Sequence, residues 1–164
     1  MEVPEHTNIT KFLDAHQVPY RRLPHSEAVF TIETAAQTRG VVMEEMVKSI
    51  LLREKGGPVA ETRYVMACVP GHARLLPQAV REYLPGAWRR LTFSSSEEIQ
   101  AVTHSVQGAV APLCLPAEVP VIFDEVFLQY EKVSISSGNP WLGLELHPID
   151  LFRLAKGIPG KISE

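Results

Sequence analysis

The run Val47-Lys48-Ser49-Ile50-Leu51-Leu52-Arg53 constrains this chain more than any other segment. It is rich in aliphatic residues and ends in Glu54-Lys55-Gly56-Gly57, which reads as a turn. As a strand it puts Lys48, Ile50 and Leu52 on one face and Val47, Ser49 and Leu51 on the other. Both faces are largely apolar, which predicts an interior strand of a sheet covered on both sides. Residues 63–69 are its expected hairpin partner. An ammonium on such a strand must be paired or must line a cavity. The competing reading is a strand-end lysine that snorkels to water. Lys48 is therefore the first candidate functional residue.

The remaining elements follow from spacing and capping. Asn8 can cap a first helix whose Ile9, Phe12 and Leu13 fall on one face. A short strand is expected at 20–23 and a loop at 24–30. Thr31 and Gly40 can open and close a second helix. Pro77 suits the first turn of a helix carrying Ala79, Val80, Tyr83 and Leu84. Ser94 or Ser95, ahead of Glu97 and Glu98, offers a capping box for a helix reaching Val102. Strands are expected at 119–123, 132–136 and 142–146, with Ser137-Gly138-Asn139-Pro140 as a turn and a closing helix at 148–155. Strands mixed with scattered helices predict an α+β domain rather than regular βαβ alternation. No internal repeat or long linker divides the chain, so residues 1–164 are expected to form a single domain.

Sixteen basic against nineteen acidic residues give a net charge of −3, so no global basic field attracts nucleic acid. Any such role must rest on a local patch. A chain this long can bury a core without disulfides or a metal. Cys68 and Cys114 stand in apolar stretches and read as small core residues of a reducing compartment. The opening Met-Glu-Val-Pro-Glu lacks the basic-then-apolar order of a signal peptide. The longest apolar stretch, 108–123, is interrupted by Pro112, Pro116, Glu118 and Pro120, so no membrane span is expected. These features predict a cytoplasmic protein.

No two of the six histidines have the spacing that seats both on one metal, and the cysteines lie far apart, so no metal is expected. The phosphate-binding, dinucleotide-binding and nucleophile-elbow glycine motifs are absent. No cofactor is expected. Gly108-Ala109-Val110-Ala111-Pro112 places small residues between a glycine and a proline, a stiff loop whose backbone a ligand can approach. A plain turn would give the same composition. Ser136, Ser137, Gly138 and Asn139 supply neutral hydrogen-bonding groups beside a glycine turn. His25 reads as a partly exposed loop histidine near a helix start. Arg21-Arg22 and Arg89-Arg90 are solvated charge or a local phosphate-binding face.

Taken in order, these pieces resemble the YbaK/EbsC family, the free-standing relatives of the editing domain inserted in bacterial prolyl-tRNA synthetases. The resemblance runs through His25-Ser26-Glu27-Ala28-Val29-Phe30-Thr31, then Glu45-Met46-Val47-Lys48-Ser49-Ile50-Leu51-Leu52, then Gly108 to Pro112. It continues in Ser137-Gly138, Gly143-Leu144-Glu145-Leu146 and Asp150-Leu151. It implies a mixed, mostly antiparallel and partly barrel-like sheet with surrounding helices. It also implies hydrolysis of the ester joining a wrong, small amino acid to the 3′ terminal adenosine of a tRNA. Lys48 takes the place of the family's pocket lysine, in the catalytic role. His25, Ser49, Gly108, Ala109, Val110, Ala111, Pro112, Ser137 and Gly138 fall at substrate-binding positions. Aminoacyl-tRNA is the implied partner, with an aminoacyl-tRNA synthetase as a second. Gly143 and Leu23 differ from the branch that removes cysteine, and Ser49 differs from the branch that removes alanine, which leaves the amino acid open. Two other classes compete: a non-catalytic module that binds adenosine or an RNA end, and a synthetase-associated interaction protein.

Overall fold

The computed structural model describes residues 2–164. The first helix, α1 (Asn8–Ala15), is capped by Thr7, whose side chain accepts from the Thr10 amide at 3.2 Å while Thr10 Oγ1 accepts from the Thr7 amide at 2.8 Å. The expected cap, Asn8, is instead the first helical residue, because this reciprocal threonine pair satisfies two end donors at once. The chain continues through β1 (Arg21–Pro24) to α2 (Ile32–Arg39). Thr31 caps α2, and Gly40 ends it in the left-handed region at φ 68°.

Next come β2 (Val47–Glu54) and β3 (Tyr64–Pro70), paired antiparallel over their whole length as the hairpin reading predicts. The short helix α3 (Pro77–Val80), β4 (Leu91–Phe93) and α4 (Ser96–Thr103) follow. Ser95 and Glu98 close the capping box of α4. After β5 (Val121–Asp124), the hairpin β6 (Val133–Asn139) and β7 (Leu142–Leu146) leads to α5 (Pro148–Ala155) and β8 (Ile158–Gly160).

The architecture is α+β, with two sheets. One has the order β1-β7-β6 and is antiparallel; the other has the order β4-β2-β3-β5-β8. In the second sheet β3 and β5 run parallel, as do β5 and β8. Neither sheet closes on itself, and a Met46–Ser134 bridge joins them where β6 approaches the start of β2. The partly barrel-like expectation is met only to that extent.

Both faces of the β2–β3 hairpin are covered. Val47, Leu51, Met66 and Cys68 pack into the larger core with Phe123, Phe127, Ile135, Leu144 and Leu151. Leu52, Val65, Ala67 and Val69 pack on the other side against Val80, Leu91, Ile122 and Ile162.

Two local expectations are corrected. The segment 137–140 is not a simple turn: β6 runs to Asn139 with a bulge between Ser136 and Asn139, and the tip falls at Pro140-Trp141. Gly138, at φ 87°, accommodates the irregularity. Cys114 is exposed rather than a core residue, while Cys68 is buried as expected. The Cys114 backbone takes φ 61°, and in the proline-rich 112–116 loop it is Leu113 that points inward. Among the described residues no helix is long and apolar enough to cross a membrane.

Candidate functional site

A cavity of about 330 Å³ opens where α2, the first residues of β2 and the loop before β5 meet. Its walls include Phe30, Thr31, Glu33, Arg39, Val47, Lys48, Ser49, Ile50, Gln107, Gly108, Val110 and Ser136. The topology creates the opening. β4 pairs with β2 only at Leu52–Glu54, and β6 meets it only at the Met46–Ser134 bridge, so between these two points the outer edge of β2 has no ladder partner.

Lys48 Nζ donates to the carbonyl oxygen of Ala73 at 2.7 Å and to that of Gly71 at 3.4 Å. Burial holds its pKa below the ordinary lysine value, partly opposed by the Glu33 carboxylate. Among the described residues it forms no ion pair. An ammonium with three donors therefore keeps one for whatever enters the cavity.

Arg39, at the last position of α2, is the second cation of the wall, and sequence reasoning missed its role. Its Nε donates to His25 Nε2 at 3.0 Å, and Nη1 donates to Ser134 Oγ at 3.0 Å and to the Ile135 carbonyl at 3.2 Å. Nη2 makes no hydrogen bond among the described residues, and no carboxylate pairs with the guanidinium. Desolvation lowers its pKa to about 10, so it stays charged at neutral pH. Three of its five N–H groups thus fix the guanidinium and two remain for a ligand. No local motif marks Arg39, which reads as an ordinary basic residue favouring a helix C-terminus.

His25 is 3% exposed, not a partly exposed loop residue. The β6–β7 tip covers it: its amide donates to the Trp141 carbonyl at 2.9 Å, and Nδ1 lies 2.7 Å from the Pro140 carbonyl. Burial lowers its pKa, so the ring is neutral, with the proton on Nδ1 and Nε2 accepting from Arg39. It does not line the cavity; it stands behind Arg39.

The loop from Gly108 to Pro112 contributes unevenly. Gly108 and Val110 line the cavity, whereas Ala109, Ala111 and Pro112 are buried away from it. Gly108 has φ 92°, and a Cβ there would collide with the backbone of Phe30, so the close approach needs glycine. Ser136 Oγ ties the parts together by donating to the Ala109 carbonyl at 2.8 Å and accepting from the Gly138 amide at 3.1 Å. Ser137 and Gly138 border a separate, smaller cavity with Thr7, Asn8 and Cys114. Ser137 is buried and donates to the Leu142 carbonyl at 2.7 Å.

The structure therefore brings Lys48, Ser49, Gly108 and Val110 to one cavity and leaves His25, Ala109, Ala111, Pro112, Ser137 and Gly138 outside its lining. Neither Ser49 nor Ser136 has a histidine or carboxylate hydrogen-bonded to it among the described residues, so neither is activated as a nucleophile. No group of three His, Cys, Asp or Glu side chains there is placed to hold a metal ion. The chemistry on offer is two anchored cations with spare donors, set around a small space.

This fold recurs in solved structures. A hypothetical protein, APE2540, superposes with a TM-score of 0.84 at 22% identity, covering 96% of this chain and 100% of its own. A candidate trans-editing enzyme for prolyl tRNA synthetase superposes at 0.76, with 22% identity and 98% and 99% coverage. A candidate signal transduction protein from Marinobacter aquaeolei matches at 0.59 with 15% identity, over 97% of this chain but 31% of that one. At such identities the likeness is one of fold. No curated protein sequence matches significantly. The sequence profile of the aminoacyl-tRNA editing domain matches residues 26–154, and the chain belongs to that family.

Proposed function

We propose that this chain is a trans-editing aminoacyl-tRNA deacylase that hydrolyses the ester of a small mischarged amino acid, with residues 1–164 acting as one domain. One observation carries the reading: two anchored cations, Lys48 and Arg39, share a cavity of about 330 Å³ and neither is paired with a carboxylate. That volume lies at the small end of ligand sites, suited to an amino acid and part of a ribose.

An aminoacyl ester is already activated, so positioning and polarisation suffice. Lys48 donates to a phosphate or ester oxygen of the terminal adenosine and orients the carbonyl. The spare Arg39 donors stabilise charge that develops on oxygen as the tetrahedral intermediate forms. Water, or a group of the substrate itself, makes the attack, because no protein side chain in the cavity is equipped to. In either case water supplies the oxygen that ends in the released carboxylate, and a proton passes to the ribose oxygen as the ester bond breaks. Ser49, Gly108 and Val110 shape the space around the aminoacyl group. Ala109, Ala111, Pro112, Ser137 and Gly138 hold the loop and the bulge that border it, and His25 positions Arg39. A small cavity excludes the larger correct amino acid, as in double-sieve editing. Charged tRNA is a cytoplasmic substrate, and a synthetase that hands it over would raise its effective concentration.

The test is deacylation of tRNAs charged with alanine, cysteine, serine and threonine by the native protein and by Lys48→Ala. Release of one small amino acid, lost on substitution, supports the proposal. Binding of the tRNA end without ester cleavage would make the chain a binding module, and cleavage unaffected by Lys48→Ala would remove the proposed mechanism.

A further inference from the structure

The chain carries a net charge of −3, yet the end of β2 furthest from Lys48 is surrounded by basic side chains. Lys55 follows that strand, Arg89 and Arg90 precede β4, and Arg81 donates to the Trp88 carbonyl at 2.6 Å. All four are exposed, and none forms an ion pair among the described residues. The nearby buried acid, Glu54, is already committed: it accepts from Arg63 at 2.6 and 3.0 Å and from the Arg89 amide at 2.7 Å. Arg63 also lies over the Trp88 ring, 3.9 Å from its centroid. Glu61 and Glu82 are the exposed acids next to this cluster in the chain.

Strand register connects the cluster to the cavity. β4 is the outer strand of its sheet and pairs Phe93 with Leu52, Thr92 with Arg53 and Leu91 with Glu54; beyond it the Lys55 amide donates to the Arg90 carbonyl at 2.8 Å. Residues opposite one another in an antiparallel pair share a face, and β2 alternates, so Phe93 lies on the same face as Lys48. At about 3.3 Å per residue, Phe93 stands roughly 13 Å along the edge from Lys48, and Arg90 roughly 23 Å. Phe93 is 58% exposed, although Leu52 opposite it is fully buried, so its ring is open to a ligand at this edge.

An open aromatic face followed by unpaired cations along one edge is the arrangement that holds a nucleic-acid strand, with bases stacking and phosphates meeting the charges. We propose that the β4 edge, from Phe93 through Arg90 and Arg89 to Lys55 and Arg81, is the docking surface for the RNA acceptor arm whose 3′ end enters the Lys48 cavity. The unpaired 3′ nucleotides pass Phe93, and the duplex backbone rests on the arginines. This rests on the editing reading and adds how an acidic protein takes hold of an anionic substrate.

The probe is an uncharged RNA minihelix ending in CCA, with binding to the full chain followed by fluorescence anisotropy across a salt series. Arg89→Ala/Arg90→Ala weakens binding at least tenfold and lowers the salt slope by about 1 to 2, since each phosphate contact contributes roughly 0.7–0.9. Phe93→Ala weakens binding several-fold with the slope unchanged. Lys11→Ala/Arg153→Ala, which removes equal charge elsewhere, leaves binding intact. Hydrolysis of a short aminoacyl-adenosine ester keeps its native rate in the Arg89/Arg90 and Phe93 variants, which also reports that they are folded.

Native affinity and slope in the Arg89/Arg90 variant overturn the surface. So does a variant that loses a synthetase partner but not the RNA. If the minihelix binds through these residues and no ester is ever cleaved, the surface stands and the deacylase reading falls. If esters are cleaved and the KM for a charged minihelix is unchanged in the variant, the deacylase stands and the surface falls.

Discussion

Arg39 donates its Nε–H to His25 Nε2 across 3.0 Å, and His25 turns Nδ1 to the Pro140 carbonyl at 2.7 Å. The bond from Arg39 exists only when the imidazole is neutral with its proton on Nδ1, whereas the bond to Pro140 persists in either state. The tip of one hairpin thereby fixes a cation in the wall of a cavity built largely by other elements. Protonating His25 removes the acceptor and sets a second positive charge beside the guanidinium.

The His25 pKa is lowered by burial, so the unfolded chain takes up its proton at higher pH than the folded one. Its contribution to stability is complete above the unfolded value near 6.5 and is lost as pH falls from there through the folded value. Urea unfolding of the native protein from pH 7.5 to pH 5 should therefore show a decline below about 6.5. His25→Gln, which keeps one donor and one acceptor, should show a shallower decline. Equal slopes for the two proteins would mean that other groups carry the pH dependence.

Lys48 is expected to matter for chemistry more than for folding. Losing the donor that orients the ester carbonyl should cost about 10²–10³ in kcat, the usual penalty for removing one preorganised donor from a reaction centre. Lys48→Met keeps the length of the side chain and removes a desolvated charge, so its thermal midpoint should not fall below that of the native protein. Lys48→Arg should not restore activity, because a planar fork cannot reproduce the two carbonyl contacts at Gly71 and Ala73. Full activity in Lys48→Met would exclude the lysine from the mechanism.

Gly143 of β7 has no room for a side chain: a Cβ there would overlap the Arg39 guanidinium. Its backbone is not in the left-handed region, so the constraint is space alone. Gly143→Ala should cost about 1–3 kcal/mol, the usual penalty of overpacking, and should lower deacylation by displacing Arg39. Arg39→Ala in the same chain should recover part of the stability but not the activity. A double-mutant cycle with no coupling would show that the two residues do not meet.

The thiols should separate cleanly. Cys68 is buried, and desolvation raises its pKa to about 12, whereas Cys114 is exposed. A thiol reagent at pH 8 should modify one cysteine in the folded protein and two in denaturant. Cys114→Ser should abolish the native reaction, and fast labelling of Cys68 would place it outside the core.

Much of the local structure was legible in the residues. The β2–β3 hairpin follows from an apolar run, a glycine turn and a second apolar run, and the pairing of Val47 with Pro70 through Arg53 with Tyr64 agrees with it. The limits of α2 follow from Thr31 and Gly40, and α4 from Ser95 and Glu98. These features depend on neighbours a few positions apart, where side-chain capping and backbone φ are set by residue type. Lys48 could be singled out for the same reason, since one strand placed a charge between two apolar faces.

What the sequence could not show is what lies beside each element. β4 and β8 are three residues each, too short to carry a pattern, and exist because β2 and β5 offer them hydrogen bonds. In sequence Arg39 is one of several dispersed arginines that read as solvated surface charge, and only folding brings Ser134, Ile135 and His25 to it from distant parts of the chain. In sequence His25 reads as a partly exposed loop residue, because the strand tip that buries it is more than a hundred positions away. The sequence by itself determined the hairpin, the caps, the lysine and the absence of a global basic field. Tertiary structure alone decided which donors surround the cavity and which edge stays open, because contacts between distant segments arise from the packing of whole elements, and no local propensity encodes them.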